Sequence, residues 1–217
     1  IESRAFKELE EDNNVKYVIN NDETRFDFEN NNALKKINKN KKIFTNLPRV
    51  RVGWWHLLTV VTLFRLQRKA LKLKGNKKHY ESILRFEIDE IGTRNVKLAK
   101  IAGLPLIYQI VKAIFILKLG IHRDVINVIK SEKPDLLIHP SFLNGYFINE
   151  LLLSAAKFKI PLFILVNSWD NPSCNAFCTG MPDKLVVWGE QMRRHAIKYL
   201  GISNQKIECF GDWKFTW

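Results

Sequence analysis

The chain has 217 residues, of which 46% are hydrophobic, 12% aromatic and 26% charged, a balance that supplies a packed core and excludes disorder throughout. The formal net charge of +13 is unevenly placed: residues 1–33 hold nine acidic and four basic side chains, 34–80 fourteen basic and no acidic, and 81–217 seventeen basic and thirteen acidic. Three cysteines, Cys174, Cys178 and Cys209, lack the paired spacing of a zinc site or a disulfide framework, which points to a reducing compartment and to no metal.

Along the chain, residues 1–12 are acidic and do not read as a secretory signal. Periodicity predicts a helix over 3–11, a strand over 15–20, a polar loop or insertion over 20–40 and a strand over 42–45. A helix is expected over 54–74, and 83–88 fits a short strand or a helix end. One long helix is expected over 95–119. Another covers 123–131, ended by Lys133-Pro134. Strands follow over 135–139, 161–167, 184–188 and 207–210, with helices over 149–158 and 191–200 between them.

Continuously apolar strands alternating with helices predict an α/β fold: a doubly wound, Rossmann-like parallel sheet buried on both faces and flanked by helices. A single domain over 1–217 is expected, with a basic helical insertion at about 34–80. The chain opens in a helix and stops shortly after a strand, so a fragment lacking its first strand and a second lobe is the expectation.

Basic residues draw polyanions, and the company they keep separates a membrane from nucleic acid. Trp54, Trp55 and Phe64 lie in an apolar run followed by Arg65, Arg68, Lys69 and Lys72. A helix of that kind can lay apolar bulk in the headgroup boundary and set its cations against lipid phosphates; a core helix with a solvated basic end is the plainer alternative. Residues 54–64 are too short to span a bilayer, which takes ~20 apolar residues. Residues 101–121 are long enough, but Pro105, Gln109, Lys112 and Lys118 interrupt them, and a buried or interfacial helix is expected.

In parallel sheets ligands sit beyond the carboxyl ends of the strands, which selects the loops 139–144, 167–180 and 189–192. Asn167-Ser168-Trp169-Asp170-Asn171 is the densest polar group: a carboxylate, a hydroxyl, amides and a flat indole, the mixture that sugar hydroxyls and rings require. A plain Asx turn before Pro172 is the structural alternative. His139 has a side chain suited to general base work, with Ser141 and Asn144 beside it. Glu190 either meets a ligand or favours the positive end of the next helix. No G-x-S-x-G elbow, phosphate loop or G-x-G-x-x-G fingerprint occurs, which removes the commonest hydrolase, NTPase and dehydrogenase readings.

Pro134-Asp135-Leu136-Leu137-Ile138, Ala155-Ala156-Lys157, Ile160-Pro161, Ser168-Trp169-Asp170-Asn171, the run from Pro182 to Glu190 and the segment 207–211 share an order and spacing. Together they resemble the amino-terminal lobe of GT-B-fold glycosyltransferases of surface polysaccharide assembly, related to CDP-glycerol glycerophosphotransferases and UDP-N-acetylglucosamine 2-epimerases. The likeness covers roughly residues 123–215. It departs at Gly211-Asp212-Trp213-Lys214-Phe215, where the similar proteins carry a small residue and proline, and 34–92 have no counterpart.

The resemblance implies a two-lobed transferase moving a sugar or polyol phosphate from a nucleotide-activated donor to a surface glycan or lipid-linked acceptor. The absent carboxyl-terminal lobe would hold the donor and this lobe the acceptor. It implies Asp170 and then His139 as catalytic candidates, and Ser141, Asn144, Ser168, Trp169, Asn171 and Glu190 as acceptor contacts. No cofactor is needed, and a cytoplasmic, peripheral membrane location follows. A sugar-nucleotide epimerase of the same fold and a non-catalytic module binding membranes or RNA are the alternatives, nucleic acid being the less favoured partner.

Overall fold

The computed structural model describes residues 4–21, 39–72, 81, 83–85, 87–88, 93–141, 145–168 and 179–211. Helix α1 (Arg4–Asp12) leads into β1 (Tyr17–Asn20), which pairs in parallel with β2 (Lys42–Thr45). The buried Asn20 amide seals this ladder: its Oδ1 accepts from the Leu47 N–H at 2.7 Å and its Nδ2 donates to the Leu47 carbonyl at 3.2 Å. Most of the segment expected as a polar insertion, 22–38, lies outside the described residues.

Helix α2 (Arg49–Lys72) starts five residues earlier than expected, directly after Pro48. Proline carries no N–H and cannot follow a helical turn, yet its carbonyl accepts from Arg51 N at 2.9 Å and so opens the helix. Residues 81, 83–85 and 87–88 are helical, which settles that segment as helix rather than strand.

The single helix expected over 95–119 is two: α3 (Thr93–Ala102) and α4 (Pro105–Leu119), bent by 109° at Gly103-Leu104. Pro105 drives Leu104 to φ −66°, ψ 145°, since a residue before proline is pushed out of the helical region. Gly103 makes the corner possible. A Cβ there would meet Phe64 Cβ at 2.9 Å and the Val61 carbonyl at 3.1 Å.

Helix α5 (Arg123–Glu132) ends at Lys133, left-handed at φ 45°, just before Pro134. Then come β3 (Leu137–His139), α6 (Ile148–Phe158), β4 (Leu162–Leu165), β5 (Lys184–Val187), α7 (Glu190–His195), continued by a π turn over Ala196–Leu200, and β6 (Ile207–Cys209). The strands form one parallel sheet in the order β3-β4-β5-β6, matching Leu137 with Leu162, Ile164 with Leu185 and Leu185 with Ile207.

The fold is thus α/β, with parallel sheets of two and four strands, compatible with a Rossmann-like arrangement. Within the four-stranded sheet the order never reverses, so the double winding expected from the sequence is not displayed there. Every step runs the same way, and right-handed crossovers then put α6 and α7 on one face. Burial follows. Leu162, Ile164, Leu185 and Ile207 are sealed on that face, whereas Phe163 and Leu165 on the other are only partly covered. Burial on both faces, expected from the apolar runs, holds in β5, where Leu185 and Val186 are both buried, and not in β4. The sealed face belongs to a continuous core that reaches through Ile148, Met192 and Ala196 to Val60, Leu63 and Phe64 of α2. A smaller cluster joins Leu47 to Val125 and Ile129 of α5.

Candidate functional site

Because β3 to β6 are parallel and in register, their carboxyl ends lie along one edge. That edge receives His139 and Ser141 after β3, Asn167 and Ser168 after β4, and Trp188, Gly189 and Glu190 after β5. Trp188 ties two exits together, its indole N–H donating to the Val166 carbonyl at 2.9 Å. The Phe210 N–H donates to the Val187 carbonyl at 3.1 Å and draws in the β6 exit.

His139 is held by its own turn, with Nδ1 2.5 Å from the Ser141 carbonyl. Burial pushes its pKa below the ordinary histidine value, and the bond to the Ser141 carbonyl only partly opposes this. The imidazole is therefore neutral at pH 7. Its Nδ1 must carry the proton that the carbonyl accepts, which leaves the Nε2 lone pair as the basic position.

Glu190 opens α7 behind the extended Gly189, and its carboxylate accepts from Arg193 Nε at 2.9 Å, one helical turn on. The same guanidinium reaches Cys209 Sγ at 3.3 Å, Asn204 Oδ1 at 3.0 Å and the Ile207 carbonyl at 3.1 Å. Glu190 thereby has a structural employment that fits the helix-terminus reading. Neighbouring strands are ~4.8 Å apart, so β3, which carries His139, and β5, which precedes Glu190, lie about 10 Å apart with β4 between them.

Asn144, Trp169, Asp170, Asn171, Cys174 and Cys178 lie outside the described residues. The edge therefore carries four of the eight candidate catalytic and acceptor residues: His139, Ser141, Ser168 and Glu190.

The candidate membrane residues divide. Trp54 is half exposed and meets Phe115 of α4 edge-on, ring centroids 6.0 Å apart. Trp55 is a correction: it is 1% exposed, with its indole N–H 3.2 Å from Glu150 Oε1. Leu58, Val60, Val61, Leu63 and Phe64 are buried with it, because α3 and α4 pack on α2 and cover the apolar run. Arg65 and Arg68 are partly buried, and Arg68 Nη2 donates to the Lys100 carbonyl at 2.9 Å. Lys69 and Lys72 lie on α2, and their side chains fall outside the described residues.

Sequence reasoning missed a densely bonded buried carboxylate, Glu150. It is fully buried, and Oε1 accepts from Arg51 Nε at 2.9 Å, Arg51 Nη2 at 2.6 Å and Trp55 Nε1, while Oε2 accepts from the His122 N–H at 2.8 Å. Arg51 also donates to the Leu119 and Gly120 carbonyls, both at 3.0 Å. So filled a carboxylate is a fastener rather than an acid or base, joining α2, α6 and the turn between α4 and α5. The available signal was one acid in an apolar helix start, Ile148-Asn149-Glu150-Leu151. A second buried pair sets His56 Nε2 3.3 Å from Glu87 Oε2. Among the described residues no cluster of three or more His, Cys, Asp or Glu could hold a metal ion. No protein-family model, curated protein or solved structure matches this chain.

Proposed function

We propose that this chain is the acceptor-side lobe of a nucleotide-sugar-dependent glycosyltransferase, taking a glycan or lipid-linked acceptor at the carboxyl edge of β3 to β6. The observation that carries the reading is the parallel register that gathers His139, Ser141, Ser168 and Glu190 along one edge. The sequence motifs of residues 123–215, with their resemblance to GT-B amino-terminal lobes, supply the reaction class. A neutral imidazole with Nδ1 committed to a carbonyl suits proton abstraction at Nε2. In transfer, the acceptor oxygen would bond to the donor's anomeric carbon as the nucleotide's phosphate departs, and the hydroxyl proton would pass to Asp170 or His139.

The test is turnover of radiolabelled UDP-, GDP- and CDP-activated donors onto lipid and glycan extracts of the source cells, by a two-lobed protein in which this chain is joined to its donor-binding lobe, since the acceptor lobe alone is expected to be inactive. Wild type should give acceptor-dependent product, and Asp170→Asn should lose at least ~100-fold in kcat, the usual contribution of a general base, with an unchanged unfolding transition. Undiminished turnover in that variant removes Asp170 from the role and leaves His139→Gln as the decisive substitution. Failure of every donor in the wild type overturns the transferase reading, and conversion of a nucleotide sugar without acceptor replaces it with epimerisation.

A further inference from the structure

The apolar surface expected on α2 is instead presented by α4. Leu106 is 86% and Leu117 82% exposed, and Ile107, Ile110 and Ile114 lie between them with a third or more of their surface open. At 100° per residue these five fall within about a third of the helix circumference. The opposite side holds Tyr108, buried and 3.1 Å from Thr62 of α2, and Phe115 against Trp54. The helix is therefore anchored by its inner side and turns a row of branched aliphatics outward, a surface that monomeric soluble proteins rarely expose. Leu98 and Ile101 on α3 continue the exposed apolar surface toward the Leu104 corner.

Charge identifies the occupant. Residues 49–72 and 93–119, which hold the three packed helices α2, α3 and α4, contain eleven basic residues and no acidic one. Lys97, Lys100 and Lys118 are exposed. Lys118 follows Leu117 and flanks the outward row. Apolar residues bordered by cations match two layers of an anionic bilayer, acyl chains and headgroup phosphates. At 15 residues α4 is about 22 Å long. That is short of the ~30 Å hydrocarbon layer, and no single described helix is long and apolar enough to cross a membrane. Helices α3 and α4 reach the length and apolarity of a span only as a pair bent by 109°, and an outward row along one side of α4 suits an in-plane pose.

We propose that α4 lies in the plane of an anionic lipid surface, its Leu106 to Leu117 row among the acyl chains, with Lys118 and the α3 lysines Lys97 and Lys100 against lipid phosphates. Bilayer docking requires nothing from the strand edge, so it stands or falls apart from the transferase reading.

The test uses the whole chain with vesicles of phosphatidylcholine alone or with 30 mol% phosphatidylglycerol, read by flotation at 50 and 300 mM salt. Wild type should float with the anionic vesicles at least ten times more strongly than with the neutral ones, and less at high salt. Ile110→Glu with Leu117→Glu should lose at least tenfold; both sites are exposed, so circular dichroism and the thermal midpoint should stay put. The proposal is overturned by wild type that stays with neither vesicle, or by a double variant that floats equally. It is also overturned if the wild type forms a dimer by light scattering that the double substitution abolishes, since a second copy would then own the surface.

Discussion

Glu150→Ala should be among the most destabilising single substitutions in this chain. The carboxylate is fully buried and accepts four hydrogen bonds, three at 2.6 to 2.9 Å, from Arg51 twice and from the His122 amide, and one at 3.2 Å from Trp55. Removing it leaves the Arg51 guanidinium, itself only 15% exposed, without its counter-charge. Breaking a buried pair on one side costs about 3–5 kcal/mol. For a chain of this size, roughly 2–4 °C per kcal/mol translates that into a midpoint lowered by about 6–20 °C. Urea unfolding followed by tryptophan fluorescence measures the loss. Arg51→Met with Glu150→Leu removes both charges and should recover at least ~1 kcal/mol relative to Glu150→Ala, because no ion is then stranded. A Glu150→Ala protein within about 1 kcal/mol of wild type would refute the reasoning, as would simple additivity of Arg51→Met and Glu150→Leu.

Two further expectations follow from geometry already described. His139 has a pKa depressed by burial, so the unfolded chain binds its proton more readily than the folded one. Its contribution is thus complete above about pH 6.5, the unperturbed value, and declines as pH falls toward the folded pKa. His139→Gln should flatten the decline in unfolding free energy between pH 6.5 and 5; an unaltered slope would count against the buried neutral imidazole. Gly103→Ala should cost about 1–3 kcal/mol in urea unfolding, because the new methyl meets Phe64 Cβ at 2.9 Å and backbone on α2 that cannot swing aside. A neutral result would mean that α2 and α3 can separate slightly at their crossing.

Local physics made the strands legible. Residues 42–45, 161–167, 184–188 and 207–210 are short segments rich in apolar side chains, each with at least one β-branched residue, and each is a strand whose ends fall within a few residues of expectation. Strand order is different in kind. An apolar run such as Leu162-Phe163-Ile164-Leu165 fits a sheet covered on two faces, yet here Phe163 and Leu165 are only partly covered, since coverage is decided by which face the crossovers occupy. The α3–α4 corner was nearly legible: Gly103 and Pro105 bracket it, but unbroken apolar periodicity on both sides favoured one helix over the bend those two residues impose.

The different exposures of α2 and α4 share one cause. Both are apolar helices with lysines or arginines near an end, and composition ranks α2, with its paired tryptophans, as the better membrane surface. What separates them is tertiary: α2 lies between the sheet-side core and the pair α3–α4, so Trp55 is sealed, whereas α4 is the outermost layer and its far side has no helix over it among the described residues. A hydrophobic pattern fixes how many sides of a helix seek cover. It does not say which neighbour arrives first. Glu150 marks the same divide from the polar side, because a carboxylate in an apolar turn is tolerable only when a guanidinium 99 positions away reaches it. That pairing stitches α2 to α6 on one side of α2, which leaves the other side to α3 and α4 and so sets the outward row of α4 where a bilayer can meet it.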